Sequence, residues 1–239
     1  MVFSSPIFLF VFLPVTYLGY RVLPGLPLRN AWLTLTSLIF FSFGQLPYLI
    51  LLLVSVLLNF LFGLWLQTGR CHRPLAVGLA SAANLLLLGT FKYVDFVIST
   101  LNSLSGAELA LTGIVLPIGI SFYTFQGMSY VIDVYRHPEW GTRSPGKLLL
   151  YISFFPQLIA GPIVIYHDVA DQIDRRELTS ELTLSGLRRF ILGFGKKMIL
   201  ANSTGEIADA VFALNADQLD VRLAWLGAVC YTLQIYFDF

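Results

Sequence analysis

Residues 31–69, AWLTLTSLIFFSFGQLPYLILLLVSVLLNFLFGLWLQTG, contain no Asp, Glu, Lys, Arg or His. A helix rises about 1.5 Å per residue, so this stretch is far longer than one crossing of a membrane core that is roughly 30 Å thick. The segment GQLP at 44–47 carries the turn signals that would divide it. We therefore predict two membrane-spanning helices here, at about 31–43 and 48–66.

The composition of the whole chain agrees with a lipid environment. Hydrophobic residues make up 56% of the 239 residues and charged residues only 12%, and the mean hydropathy is +0.75. A soluble domain carries about a quarter charged residues. The net charge of +1 argues against a nucleic-acid partner, which requires a concentrated basic surface. We predict an all-α, polytopic transmembrane helical bundle whose immediate partner is the lipid bilayer.

Three further apolar runs predict spans at about 4–20, 75–100 and 110–134. The first run has no basic region before it and no small-residue cleavage site, so it is typical of a retained span rather than a signal peptide. The loops 21–30, 69–74 and 136–147 hold basic residues, whereas the turn at 44–47 and the polar break at 102–109 hold none. The positive-inside rule then predicts cytoplasmic basic loops and an extracytoplasmic N-terminus.

The pattern changes after Lys147. Residues 148–166 are apolar but contain Pro156, Gly161 and Pro162, and mixed charges follow from 167 to 181. A broken apolar segment with cytoplasm on both sides predicts a re-entrant element, which is tolerated at membrane depth only where protein or water covers it.

Residues 185–200 predict an amphipathic helix at the inner membrane surface. Its apolar residues recur at helical spacing, and its basic residues fall outside that stripe. The apolar residues are Leu187, Phe190, Ile191, Phe194 and Met198. The alternative is an ordinary cytoplasmic helix packed on the bundle. A final apolar run at 223–239 is interpreted as a truncated span, so that 1–239 forms a single membrane domain at the front of a longer protein.

Ionisable and polar residues inside apolar spans are candidates for function, because they are costly in lipid. Lys92 and Asp95 share one helical face, and mutual neutralisation is favoured over a functional role. A second set of polar residues recurs at three- and four-residue intervals along the span predicted at 110–134 and forms a polar stripe. The stripe consists of Tyr123, Gln126, Tyr130 and Asp133. It either borders a water-filled path or binds neighbouring helices by hydrogen bonds, and both interpretations stay open.

No self-contained catalytic constellation is visible. The three histidines, His72, His137 and His167, all fall in predicted loops, away from the apolar helices where a base acting on a membrane-borne substrate is expected. Hydrolase, metalloprotease and nucleotide-binding motifs are absent from the sequence. Cys71 and Cys230 lack metal-ligand spacing and are interpreted as inert apolar residues. We predict no metal site.

Longer strings of sequence are more specific. They are MVFSSPIFLFVFLP at 1–14, FKYVDFV at 91–97, LPIGISFYTFQGMSYVIDVYR at 116–136, FFPQLIAGPIVIYHDVADQI at 154–173, RRFILGFGKKMILAN at 188–202, IADAVFAL at 207–214 and YTLQIYFDF at 231–239. In this order they resemble the membrane-bound O-acyltransferase (MBOAT) family, in the branch that O-acetylates alginate and D-alanylates teichoic acids. The resemblance covers nearly the whole chain.

The resemblance implies a multi-pass enzyme of the bacterial inner membrane. Such an enzyme moves an acyl group from a cytoplasmic donor, with acetyl-CoA as the candidate and no bound cofactor, to an extracytoplasmic polysaccharide or partner protein. The expected reaction is O-acetylation of an exported polysaccharide such as alginate. The family histidine follows the segment that matches YTLQIYFDF, beyond Phe239, so the resemblance implies no catalytic residue within this chain and no activity of the chain alone.

The resemblance also implies two groups of residues near the active-site funnel. The first group belongs to the re-entrant segment and consists of Pro156, Gln157, Gly161 and Pro162. The second group lies in the last run and consists of Tyr231, Gln234 and Asp238. A purely structural role in shaping the bundle is the alternative for the first group.

A different class of function is compatible with the same residues. The polar stripes could line a path through a transporter or channel for a lipid-linked or small polar solute. The absence of an internal repeat in the sequence weighs against a transporter built from inverted halves. A truncated product without an independent role is the third hypothesis.

Overall fold

A computed structural model describes residues 3–43, 46–69, 72–158, 161–215 and 218–239. All regular structure within these ranges is helical, and they contain no strand, so the predicted all-α class is confirmed. The helices are α1 Leu13–Val22, α2 Leu26–Ser42, α3 Leu49–Gln67, α4 Arg73–Ser105, α5 Ile120–Arg136, α6 Pro145–Ser153, α7 Phe155–Leu158, α8 Tyr166–Asp174, α9 Ser180–Gly195, α10 Asn202–Phe212 and α11 Val221–Asp238. The predicted turn residues Gly44 and Gln45, and Cys71, lie outside the described residues.

The chain forms two compact units. One comprises Phe10–Arg176, and the other comprises Val2–Leu9 together with Glu177–Phe239. The first unit therefore holds α1 to α8 and the second holds α9 to α11. The single membrane domain expected over 1–239 stays a prediction.

Within the part of the chain that the structure describes, two helices have the length and apolar composition of membrane-spanning segments. They cover Leu46–Gln67, which includes a short 3₁₀ turn before α3, and Arg73–Ser105, with mean hydropathies of 2.6 and 1.6. Only 39% and 22% of their most apolar windows are buried by the rest of the chain. Large apolar side chains such as Leu57 and Leu86 are exposed, as expected of surfaces that face lipid. The further predicted spans stay predictions.

Helices α3, α4 and α5 pack against one another, and a pair of amides joins the first two. Asn59 Nδ2 donates to Asn84 Oδ1 at 3.1 Å, and Asn84 Nδ2 donates back to Asn59 Oδ1 at 2.9 Å. Both side chains are fully buried. Gly127 of α5 lies directly against Asn59, since a Cβ at this glycine would be 2.4 Å from Asn59 Nδ2. The absence of a side chain at Gly127 thus permits the close approach of α5.

The segment between α4 and α5 is not helical, so α5 begins at Ile120, ten residues after the start of the span expected at 110–134. Two side chains on the same face of α4, two turns apart, bind this segment. Asp95 accepts hydrogen bonds from the Thr112 backbone and hydroxyl and from Gly113 N, at 2.6 to 3.1 Å. Asn102 exchanges two hydrogen bonds with the Leu109 backbone. Asp95 therefore binds this loop and does not form the expected ion pair with Lys92, whose ammonium lies over the Tyr93 ring.

The second unit contains one continuous helical stretch in which α9 and α10 are joined by a π-helical turn, Lys196–Ala201. Helix α11 packs on α10 and on this turn. Lys197 in the π turn forms an ion pair with Asp238 near the end of α11. The α9 helix buries none of its residues. Its predicted position at the inner membrane surface, over 185–200, stays a prediction.

Candidate functional site

Helix α6, which contains Lys147, ends at Ser153, and helical structure is interrupted at Phe154. The re-entrant element expected over 148–166 stays a prediction. Phe154 is extended, with ψ of 110°, and the four-residue helix α7 restarts at Phe155. The buried Ser37 hydroxyl accepts a hydrogen bond from Phe155 N at 3.2 Å and donates to Leu33 O at 2.6 Å. A side chain from α2 thus satisfies a backbone donor that the break leaves free.

Gln126 connects α5 to the broken segment. Its Nε2 donates to Tyr151 O at 2.9 Å and lies 3.4 Å from Gln157 Oε1. Gln126 is 3% exposed. The structure therefore brings together one residue of the predicted polar stripe and one of the predicted funnel residues.

The other stripe residues contact neighbouring elements. The Tyr130 hydroxyl accepts a hydrogen bond from Thr142 N at 3.1 Å. Asp133 shares a hydrogen bond with Ser129 on its own helix at 3.4 Å. The Tyr123 hydroxyl is buried and has no hydrogen-bond partner among the described residues. The hydrogen bonds of Gln126 and Tyr130 thus join α5 to its neighbours, whereas that of Asp133 stays within α5. Whether the stripe borders a water-filled path or binds helices stays open.

Three tyrosines, Tyr130, Tyr151 and Tyr166, contact one another beside the predicted re-entrant segment. The Tyr151 hydroxyl donates a hydrogen bond to Val164 O at 2.5 Å. The Tyr166 ring makes edge-on contacts with Tyr151 and Tyr130, at centroid distances of 5.2 and 5.4 Å. Tyr151 therefore ties the end of α6 to the chain that returns beyond the break.

A small cavity of about 100 Å³ lies beside this cluster. Its polar lining consists of Tyr151, Gln157, Gln172 and Arg176, and its apolar lining of Leu33, Leu150, Phe154, Val169 and Ile173. A site of this size holds about three water molecules at ~30 Å³ each. The cavity combines one guanidinium with two amides, so it suits a small polar or anionic group.

A second cavity of about 640 Å³ shares the side chains of Leu150 and Ile173 with the first. Most of its lining is apolar, and more than half of the lining residues come from α2. Lys147 and Asp174, which form an ion pair at 2.5 Å, also line it. Its volume falls within the roughly 300–1,000 Å³ of small-molecule sites. The two cavities together form the candidate site.

The remaining predicted funnel residues are placed as follows. Pro156 and Pro162 are exposed, and Gly161 adopts φ of 120°, a conformation that favours glycine. Tyr231, Gln234 and Asp238 all belong to α11 of the second unit. Of the four re-entrant candidates, Gln157 lines the small cavity.

Sequence reasoning missed Tyr151, Gln172 and Arg176. Tyr151 sits inside an apolar run, and Arg176 follows another arginine in a segment of mixed charge, so no local pattern singles either out. Neither cavity has a histidine among its described lining residues. His137 and His167 instead stack on the two sides of Trp140, each at a centroid distance of 4.1 Å.

Replacing Tyr151 with phenylalanine is expected to lower the free energy of unfolding by about 0.5–1.5 kcal/mol, because Val164 O loses its hydrogen-bond donor. Tyr231→Phe is the matched control, since Tyr231 is half exposed. Unfolding in detergent, followed by circular dichroism, measures both. Equal midpoints for the two variants would show that the bond to Val164 contributes nothing.

Comparison with known proteins gives matches that cover the whole length of this chain. The chain is 40% identical over 249 residues to a probable alginate O-acetylase, AlgI, of Pseudomonas aeruginosa, and 40% identical over 248 residues to its namesake in Azotobacter vinelandii. It is 33% identical over 272 residues to a peptidoglycan O-acetyltransferase of Helicobacter pylori. Each alignment covers 100% of this chain but only 47%, 49% and 51% of these relatives. The chain thus spans about half the length of the curated relatives it matches. No family model and no solved structure matches it.

Proposed function

We propose that this chain forms part of an enzyme that O-acetylates a polysaccharide. The premise is that O-acetylases match this chain from end to end over about half of their own length, and that the chain resembles the membrane-bound O-acyltransferase family. The observation that carries the proposal is the 40% identity to alginate O-acetylases along the entire chain. Alginate is accordingly the first acceptor to test.

The transfer itself exchanges one acyl bond for another. With acetyl-CoA as donor, the hydroxyl oxygen of the acceptor bonds to the acetyl carbon, the carbon–sulfur bond breaks, and the hydroxyl proton ends on the thiol. A base near the reacting hydroxyl accelerates this step. The amides of Gln126 and Gln157 cannot act as that base, because a carboxamide does not accept a proton at neutral pH. We propose that the chain supplies the walls of the site and that the base comes from elsewhere in the whole protein.

The arrangement across the membrane is part of the proposal. Basic residues in the loops 21–30 and 136–147 favour a cytoplasmic location for the end of the unit that carries Lys147. The donor would then enter from the cytoplasm, and an exported polysaccharide or an acyl-accepting partner protein would take the acetyl group on the far side. The enzyme would be a multi-pass protein of the bacterial inner membrane with an extracytoplasmic N-terminus.

The proposal is tested in a bacterium whose own alginate O-acetylase gene is deleted. Expression of the full gene that encodes this chain is expected to restore acetyl esters on secreted alginate, measured by proton NMR. An empty vector and a vector for the 239-residue chain are the controls. Unacetylated alginate from cells that contain the full protein in their membranes would refute alginate as the acceptor.

We expect the 239-residue chain by itself to transfer no acetyl groups, because its described cavities lack a histidine. The assay uses purified chain in lipid nanodiscs with labelled acetyl-CoA and alginate oligomers. Turnover above that of empty nanodiscs would show that the chain contains the catalytic base.

A further inference from the structure

Two guanidinium groups lie over a single buried tyrosine ring. The Cζ atoms of Arg29 and Arg176 are 5.3 and 5.1 Å from the centroid of Tyr20. Tyr20 is only 6% exposed, and both arginines are half-buried. Each contact lies within the range of a cation–π interaction. Two positive charges thus share one aromatic ring, although they come from α2 and from the segment after α8.

The described partners of these arginines are all uncharged. Arg29 Nε donates to Leu23 O at 3.0 Å. Arg176 Nη2 donates to Asn30 Oδ1 at 2.5 Å, and Asn30 in turn donates to Ile173 O at 2.9 Å. Arg176 Nε is buried and has no hydrogen-bond partner among the described residues. The hydrogen bond from Nη2 to Asn30 uses only one of the five N–H groups of this guanidinium, so other donors are left for a ligand.

Among the described residues, no carboxylate forms an ion pair with either arginine. The ion pairs found within the described residues are His137–Glu139, Lys147–Asp174 and Lys197–Asp238, and neither arginine takes part. Glu177 directly follows Arg176 but takes part in none of these ion pairs, and Asp174 is already paired with Lys147. Like charges held close together repel one another, and a bound anion would relieve that repulsion.

The space beside Arg176 has the size for such an anion. Arg176 lines the cavity of about 100 Å³ together with the amides of Gln157 and Gln172. Room for about three water molecules is also room for one tetrahedral oxyanion. Amide and guanidinium N–H groups are the donors that bind phosphate oxygens, and arginine binds them in pairs.

We propose that Arg176 and Arg29 form a binding site for one phosphate group, in which Arg176 and the two glutamines donate hydrogen bonds and Arg29 adds a second charge. This site goes beyond acetyl transfer and does not depend on it. A phosphate can come from an anionic lipid headgroup or from a water-soluble phosphate compound, since this end of the unit is predicted to face the cytoplasmic membrane surface. The two sources share one chemistry and are separated by experiment.

The test uses the full 239-residue chain in nanodiscs of phosphatidylcholine. Two probes are added separately: inorganic phosphate in solution, and phosphatidylglycerol within the nanodisc. Binding is followed as the rise in thermal unfolding midpoint with probe concentration. Arg176→Gln is expected to weaken the binding of the effective probe by about tenfold or more, the loss of one charge-assisted hydrogen bond. Arg29→Gln is expected to weaken it less, because Arg29 contributes charge without a hydrogen bond.

Arg175→Gln is the matched control, because it removes the same charge from the neighbouring exposed position and should change binding less than about twofold. Asn30→Asp guards against misfolding of the arginine variants. It places a carboxylate next to Arg176 without removing either guanidinium, so it should abolish binding. Because it also loses the hydrogen bond that Asn30 donates to Ile173 O, its unfolding midpoint without probe is measured first.

The outcomes distinguish a lipid headgroup site from a site for soluble phosphates, and both from failure of the proposal. Stabilisation by phosphatidylglycerol alone identifies a lipid headgroup site, and stabilisation by inorganic phosphate identifies a site for soluble phosphates. Equal weakening by Arg175→Gln and Arg176→Gln would reduce the effect to general surface charge and overturn the proposal. Unchanged binding in Asn30→Asp, or no response to either probe, would overturn it as well.

Discussion

Replacing Gly127 with alanine is expected to lower the free energy of unfolding of this protein by about 1–3 kcal/mol, the usual cost of an added methyl group in a packed interior. The new Cβ would lie 2.4 Å from Asn59 Nδ2 and 2.7 Å from Asn59 Cγ. Asn59 cannot move aside without loss, because it shares two hydrogen bonds with Asn84 and donates to Ser55 O at 2.8 Å. Unfolding of the purified chain in mixed detergent micelles measures the effect.

Gly89→Ala is the matched control for that substitution. Gly89 also lies within a helix, α4, but no atom is found within 4 Å of a Cβ built there. Alanine should therefore leave stability unchanged or raise it by up to ~1 kcal/mol, because it favours the helix over glycine. Equal midpoints for Gly127→Ala and Gly89→Ala would contradict the tight contact between α5 and Asn59.

Replacing Gln126 with leucine is expected to reduce acetyl transfer by the whole protein about 10- to 100-fold, on the proposed function. The leucine has similar size but cannot donate to Tyr151 O or contact Gln157 by a hydrogen bond. The break between α6 and α7 would then shift, and displacement of a site by about 1 Å can cost 10²-fold in rate. Acetyl content of secreted alginate, normalised to the amount of enzyme in the membrane, gives the readout.

The control for this experiment is Thr90→Val. Thr90 is exposed and its hydroxyl bonds only within α4, to Leu86 O at 2.8 Å, so its loss should leave activity unchanged. Wild-type acetylation by Gln126→Leu would show that the connection between α5 and the broken segment has no part in transfer. Equal losses in both variants would point to general destabilisation instead.

The helices themselves could be predicted from sequence where apolar length decides the structure. The span expected at 48–66 agrees closely with α3, Leu49–Gln67, since an uninterrupted apolar run in lipid has to satisfy its own backbone. Residues 110–119 are almost as apolar, yet they are not helical. Pro117 and glycines with positive φ at 106, 113 and 119 oppose a helix, and Asp95 and Asn102 bind the extended backbone instead.

The candidate site could be predicted only in part. Pro156, Gly161 and Pro162 indicated a break in the helix, and Gln157 was identified by resemblance. The contact of Gln157 with Gln126 joins residues 31 apart in sequence, and no local pattern encodes such a pair. Arg175 and Arg176 are the same residue type in adjacent positions, so the sequence does not distinguish them. Only Arg176 lies against Tyr20 and lines the small cavity. Tertiary packing makes that distinction.

The π turn at Lys196–Ala201 fixes which face of α10 meets α11. A π turn holds one residue more than the matching α turn, and one residue corresponds to a rotation of about 100°. Gly205 lies one turn beyond it, directly against the Gln234 side chain. Deleting a single residue from the turn would therefore swing Gly205 away and present a bulkier neighbour to α11. A relative that lacks this residue would need different side chains along the whole contact between α10 and α11. We therefore expect substitutions in the π turn to be tolerated better than insertions or deletions.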